Sequence, residues 1–90
     1  MGTALLTIKI MPSSLEVNLE ELKVEIKALV EENNGKNVRF EEEPIAFGLK
    51  AIMTFFDIDE EQELEELEEK LRKLENVNSV QVVDMRRAFG

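Results

Sequence analysis

Twice along this chain the spacing of apolar residues switches from two to between three and four and back to two, and that order of periods limits the folds open to it. In residues 4–11, Leu6, Ile8 and Ile10 alternate with Thr7 and Lys9, which puts three aliphatic side chains on one face of a strand that Pro12 ends. Leu19, Leu22, Ile26, Leu29 and Val30 then recur at three- and four-residue spacing, the apolar stripe of a helix. Asn18 with Glu21 three residues later has the form of an N-cap and its returning carboxylate, and Asn33-Asn34-Gly35 supplies residues that tolerate a left-handed C-terminal cap.

The second half repeats the order without repeating the residues. Val38 and Phe40 alternate within residues 37–42, a short polar strand expected at a sheet edge, where charge discourages further pairing. Residues 47–57 are apolar on both parities, with Leu49, Ala51, Met53 and Phe55 on one and Ile52 and Phe56 on the other, and are expected to form a central strand. Pro44 lies in the turn between them, removing a donor where pairing must pause. Asp59, with Gln62 three residues on, is expected to cap a second helix carrying Leu64, Leu67, Leu71 and Leu74. Asn76-Val77-Asn78-Ser79 ends it, residues 80–85 supply a last strand, and Arg86-Arg87-Ala88-Phe89-Gly90 reads as a basic and aromatic tail. Two strand-helix-strand units in 90 residues most economically make an α+β, ferredoxin-like βαββαβ sandwich: four antiparallel strands with both helices on one face. The chain is expected to be one domain over 1–90.

Charge and residue types narrow the function classes. With 11 Lys and Arg against 20 Asp and Glu, the net charge is −9, which disfavours broad contact with nucleic acid or an anionic membrane. There is no His and no Cys, so the usual general base, thiol nucleophile and zinc ligands are missing, and Ser13, Ser14 and Ser79 have no identifiable base partner. Neither GxxxxGK[ST] nor GxGxxG occurs. Asp57-Ile58-Asp59-Glu60-Glu61 begins like a calcium loop, but Gln62 stands where that loop requires Gly, so no metal or other cofactor is expected. The chain carries no stretch near the roughly 18 apolar residues of a membrane span, and its expected location is the cytoplasm.

Two places do not read as ordinary core or surface. Pro44-Ile45-Ala46-Phe47-Gly48 sets a large aromatic beside Pro and Gly at a loop-to-strand junction, suited to presenting Phe47 outward as an anchor. Arg86-Arg87-Ala88-Phe89 is a basic cluster in a strongly acidic protein.

Those two places also carry a family likeness. Pro44-Ile45-Ala46-Phe47-Gly48-Leu49-Lys50-Ala51, Val82-Val83-Asp84-Met85-Arg86-Arg87 and the opening Thr7-Ile8-Lys9-Ile10-Met11-Pro12 resemble the archaeal elongation factor 1-beta family of guanine-nucleotide exchange factors, over essentially the whole chain. The resemblance implies a ferredoxin-like exchange domain, monomeric when free and performing no covalent chemistry. It would bind the GTPase elongation factor 1-alpha and promote GDP release and GTP loading during translation elongation.

In the eukaryotic relatives the aromatic of a Gly-Phe-Gly loop docks into the GTPase, and Phe47 occupies that place here. Pro44, Ile45, Ala46, Phe47 and Gly48 are therefore expected to bind the partner. A lysine at the extreme C-terminus of those relatives reaches the magnesium site. Its place here falls on Gly90, so the resemblance implies either that Arg86 or Arg87, with Phe89 beside them, supplies the cation or that exchange depends on the packing of the loop and tail alone. The rival readings are a ferredoxin-like small-ligand-binding module, which would want a Gly-rich or charged loop after the first strand, and a purely structural subunit.

Overall fold

The computed structural model describes residues 2–88. Strand β1, Thr3–Pro12, follows the alternation of its sequence: Leu6, Ile8 and Ile10 are buried, and Thr7, Lys9 and Met11 on the other face are half-exposed. Helix α1, Leu19–Glu32, starts where Asn18 Oδ1 accepts the backbone N–H of Glu20 at 3.0 Å and of Glu21 at 3.2 Å. Those bonds satisfy two of the free donors of the first turn, and the acidic Glu20 and Glu21 sit favourably at the positive end of the helix dipole. At the other end Asn34 is left-handed, with φ of 71°, and the Gly35 N–H donates to the Val30 carbonyl at 2.8 Å. A side chain on Gly35 would collide with that of Val30, so this turn needs glycine for close approach.

Strand β2, Lys36–Pro44, a short 3₁₀ turn at Ala46–Gly48 and strand β3, Lys50–Asp59, follow. Helix α2, Glu65–Arg72, and strand β4, Val77–Ala88, complete the chain. The four strands form one antiparallel sheet in the order β2-β3-β1-β4, so β2 is an edge and β3 is internal, as the sequence predicts. Both helices cover one face. Leu22, Ile26 and Val30 of α1 and Leu67 and Leu71 of α2 share a single cluster with Leu6, Ile8, Ile10, Ile52 and Phe56. Each such aliphatic or aromatic group contributes about 1.5–3 kcal/mol by leaving water. Among the described residues no helix is long and apolar enough to cross a membrane.

Several boundaries differ from the sequence expectation: Pro44, expected in the turn, pairs with Lys50 at the end of β2, and Phe47 to Leu49, expected in the central strand, precede β3. Asp59 does not cap α2: its carboxylate accepts the Glu61 N–H at 2.8 Å and its carbonyl the Gln62 N–H at 2.9 Å, closing a turn, while α2 begins six residues later behind Leu64 without a side-chain cap. Pairing of Asp59 with Thr3 holds it in the sheet, and that pairing prevails over local helix nucleation. The final strand is also longer than 80–85. It runs from Val77, paired with Pro12, to Ala88, paired with Thr3, because β1 offers partners along that whole length. A register shift lies between Thr7 and Ile8, opposite Asp84 and Val82.

One hydrogen-bonded cluster ties helix to edge: Lys23 Nζ lies 2.9 Å from Glu20 and 2.8 Å from Glu42 of β2. The hydrogen bond from Lys23, and then its charge, hold the Glu42 carboxyl below its ordinary value of 4.5; hydrogen bonds to Glu42 and Glu20 raise Lys23 above 10.5. The Glu42 contribution to stability is therefore complete above the ordinary carboxylate range and is lost as pH falls through its lowered value. The Lys23 contribution is complete below 10.5 and is lost as pH rises through its raised value. Denaturant melts of Glu42→Gln should show a deficit against wild type that is constant near neutrality and shrinks in acid; a deficit that persists unchanged in acid contradicts the assignment.

The interior holds one polar mismatch. Thr54 is fully buried in β3, and its Oγ1 has no hydrogen-bond partner. A buried, unpaired hydroxyl costs about 1–3 kcal/mol of desolvation, and valine has nearly its shape without the polar atom. Thr54→Val should stabilise the fold by roughly 1 kcal/mol, seen as a rise of roughly 4–8 °C in the unfolding midpoint for a domain this small. A lower midpoint would mean that the hydroxyl has a partner.

Candidate functional site

The segment between β2 and β3 is a closed loop whose ends are held and whose tip is not. Pro44 pairs with Lys50, the Ile45 N–H donates to the Leu49 carbonyl at 2.7 Å, and the Leu49 N–H donates to Ala46 at 3.3 Å. Ile45 and Leu49 are half-buried and fix the base of the loop. Between them the chain turns through two consecutive left-handed residues, Phe47 at φ 62° and Gly48 at φ 79°. For glycine this conformation is nearly free; for a residue with a bulky side chain it costs on the order of 1–2 kcal/mol. The side chain so held is 93% exposed, whereas Phe56 is buried and Phe40 and Phe55 are half-buried. A strained backbone that turns a phenyl ring into water has no packing rationale, and such outliers concentrate at binding sites.

The second candidate takes another form than a tail. Arg86 and Arg87 lie within β4, paired with Leu5 and Ala4 of β1. Successive strand residues point to opposite faces, so the two guanidinium groups are not one cluster. Arg86 lies on the uncovered face, with Nε 3.0 Å from Asp84; Arg87 lies on the helix side, 3.1 Å from Glu60. Both side chains are mostly in water, where an ion pair is worth about 0–1 kcal/mol and gives way to a stronger partner. Phe89, expected beside them, lies outside the described residues, as does Gly90.

The fold also separates the two candidates. Arg86 pairs with Leu5, near the start of β1, while the Phe47 loop stands at the end of the sheet where β1 finishes in Pro12. Seven strand residues span roughly 23 Å at about 3.3 Å each, before the loop is added. The molecule measures 41 × 21 × 18 Å, so the loop and the arginines mark opposite ends of its long axis.

Charge is divided between the layers. Residues 19–32 and 60–75, which contain the helices, hold thirteen of the 20 carboxylates and five of the 11 basic side chains, a net −8, while the four strands carry six of each. Among the described residues no group of three or more potential ligands is placed to hold a metal ion.

Sequence reasoning passed over one neighbour of the Phe47 loop. Leu15 is 66% exposed in the β1–α1 connection and borders, with Gly48, a recess of about 220 Å³. Its signal was a lone leucine among Ser13, Ser14 and Glu16, belonging to neither the strand pattern before it nor the helix pattern after it.

Comparison with known proteins gives one consistent family. The EF-1 guanine nucleotide exchange domain matches residues 5–88. Elongation factor 1-beta of Methanosarcina barkeri is 46% identical over 88 residues, covering 97% of this chain and 99% of that protein. Elongation factor 1-beta of Methanocaldococcus jannaschii is 42% identical over 89 residues, covering 98% and 100%. Among solved structures, the ACT domain of a GTP pyrophosphokinase from Chlorobium tepidum superposes with a TM-score of 0.61 at 20% identity, covering 88% of this chain and 96% of that one. That likeness is one of fold.

Because the Phe47 ring has almost no neighbours to lose, Phe47→Ala should leave the unfolding free energy within about 0.5 kcal/mol of wild type, and Phe47→Gly should hold or slightly raise it by relieving the backbone. A loss of several kcal/mol in thermal melts would place the ring in the core instead.

Proposed function

From the premise that this chain belongs to the EF-1 guanine nucleotide exchange family, whose role is nucleotide exchange in translation elongation, we propose that it acts on elongation factor 1-alpha through its two ends. It works in the cytoplasm as a monomeric exchange domain over 1–90, promotes GDP release and GTP loading, and makes or breaks no covalent bond itself. The observation that carries the docking assignment is Phe47: nearly fully exposed, on a backbone strained to hold it there.

Pro44, Ile45, Ala46, Phe47 and Gly48 form the anchoring end. Ile45 and Leu49 stiffen the loop, so little conformational freedom is lost when Phe47 enters a pocket of the GTPase. The opposite end presents Arg86 and Arg87, with Phe89 following, toward the region where the GTPase holds the diphosphate and its magnesium ion. Each guanidinium there would exchange an exposed carboxylate of its own chain for a group of the partner. Because the ends are separated along the whole sheet, a partner touching both must itself be large or have two parts.

Exchange follows from linkage. If the domain binds the empty GTPase ~100-fold more tightly than the GDP-bound one, GDP affinity must fall by the same factor while the domain is bound, a coupling within the usual ~1–3 kcal/mol. GTP then enters by mass action.

The test is release of a fluorescent GDP analogue from elongation factor 1-alpha. Wild type should accelerate it at micromolar concentration, and Phe47→Ala should slow it at sub-saturating concentration by roughly 10- to 100-fold, the worth of one buried aromatic anchor. Arg86→Gln and Arg87→Gln are the right probes of the other end, because truncation would also remove strand pairs formed by residues 85–88. Unchanged release in all three variants would remove both ends from the mechanism.

A further inference from the structure

The anchoring end is built from two loops rather than one. Residues 12–15 and 44–49 meet there, and these ten positions carry no charge in a chain that is 34% charged with a net −9. Leu15 stands at the tip of the first loop, 66% exposed, with its Cδ2 3.5 Å from where a side chain on Gly48 would begin. The turn that presents it is ordered from within and from outside. The Glu16 N–H donates to Ser14 Oγ at 3.3 Å, and the Ser13 N–H donates to the Asn76 carbonyl at 2.8 Å, tying the loop to the turn before β4. Between Leu15 and the Phe47 loop lies the recess of about 220 Å³, lined chiefly by Pro12, Val17, Leu19, Gly48 and Leu49, with Ser14 and Lys50 completing it.

Resting on the exchange reading above, we propose that Leu15 is a second anchor. Leu15 and Phe47 are two prongs that straddle an apolar ridge on elongation factor 1-alpha, and the recess between them receives an aliphatic side chain of that ridge. The two uncharged loops and the mainly apolar lining specify the chemistry of the partner surface, since Lys50, the charged residue of the lining, already lies 3.8 Å from Glu42 of its own chain, and a charged group entering between the prongs would lose water. The same dimensions argue against a second copy of this chain as occupant. Ten residues from each of two tips fall well short of the roughly 20–30 per side of a stable interface, whereas a partner that also engages the far end has the remaining area.

Calorimetric binding to nucleotide-free elongation factor 1-alpha and release of the GDP analogue, measured on the full chain, decide the matter. Leu15→Ser should raise both Kd and the half-saturating concentration by roughly tenfold, with a smaller effect on the saturated rate and no fall in the unfolding midpoint. Leu15→Met should recover most of the loss. Combined with Phe47→Ala, Leu15→Ser should cost less than the product of the separate effects, because both prongs hold one ridge. If Leu15→Ser binds like wild type while Phe47→Ala binds weakly, the second anchor is wrong and the Phe47 assignment stands. If wild type binds without accelerating release, the exchange reading falls, and the Kd values of the variants still decide Leu15. Failure of wild type to bind overturns both.

Discussion

The pairing of β1 with β3 on one side and β4 on the other sets the positions of the Phe47 loop and of Arg86 and Arg87. Leu6, Ile8 and Ile10 project from β1 into the cluster that receives α1 and α2, so the strand supplies at once the middle of the sheet and the floor of the interior. Its length fixes the length of its neighbours. Asp59 stays in β3 because Thr3 is opposite it, and Arg86 and Arg87 stay in β4 because Leu5 and Ala4 are opposite them. Ladder hydrogen bonds outweigh the local preference for a helix cap at the first place and for a loose tail at the second.

An antiparallel sheet of this kind delivers its connections to two ends. The Phe47 loop and the β1–α1 turn gather at one end, and the last residues of β4 at the other. The net acidic charge goes mainly to the helix layer, which leaves the strands balanced and the tip uncharged. For a protein acting on another protein this division is useful: the helix layer supplies solubility and discourages polyanions, and the two ends remain free to be recognised. The Phe47 tip also shows how a small domain can store strain, since a left-handed phenylalanine is tolerable where Gly48 follows it and Ile45 and Leu49 hold the loop closed.

Period and turn chemistry predicted most of the architecture. The alternation around Ile8, the stripe through Ile26 and the cap at Asn18 all fold as their spacing demands, because each is a local pattern that one face of one element satisfies. The exposed aromatic was legible too, since Pro and Gly beside Phe47 have no use in a packed strand. The arginines were legible as a basic pair, but their conformation was not: strand or tail depends on whether a partner strand reaches that far, and no property of Arg86 or Arg87 contains that information. Leu15 was visible as a leucine out of pattern, yet its place beside Gly48 required two loops more than thirty residues apart to be brought together.

The sequence by itself therefore determined the buried faces of strands and helices, the order of those elements and the absence of His and Cys. These follow from composition and short-range periodicity, which are properties of the chain before it folds. Tertiary structure alone decided that the Phe47 loop and the arginines stand at opposite ends, that Arg86 and Arg87 face opposite ways, and that Phe47 shares its end with Leu15. Register and crossover geometry fix those relations, and both arise from contacts between residues that the chain keeps far apart until the sheet forms.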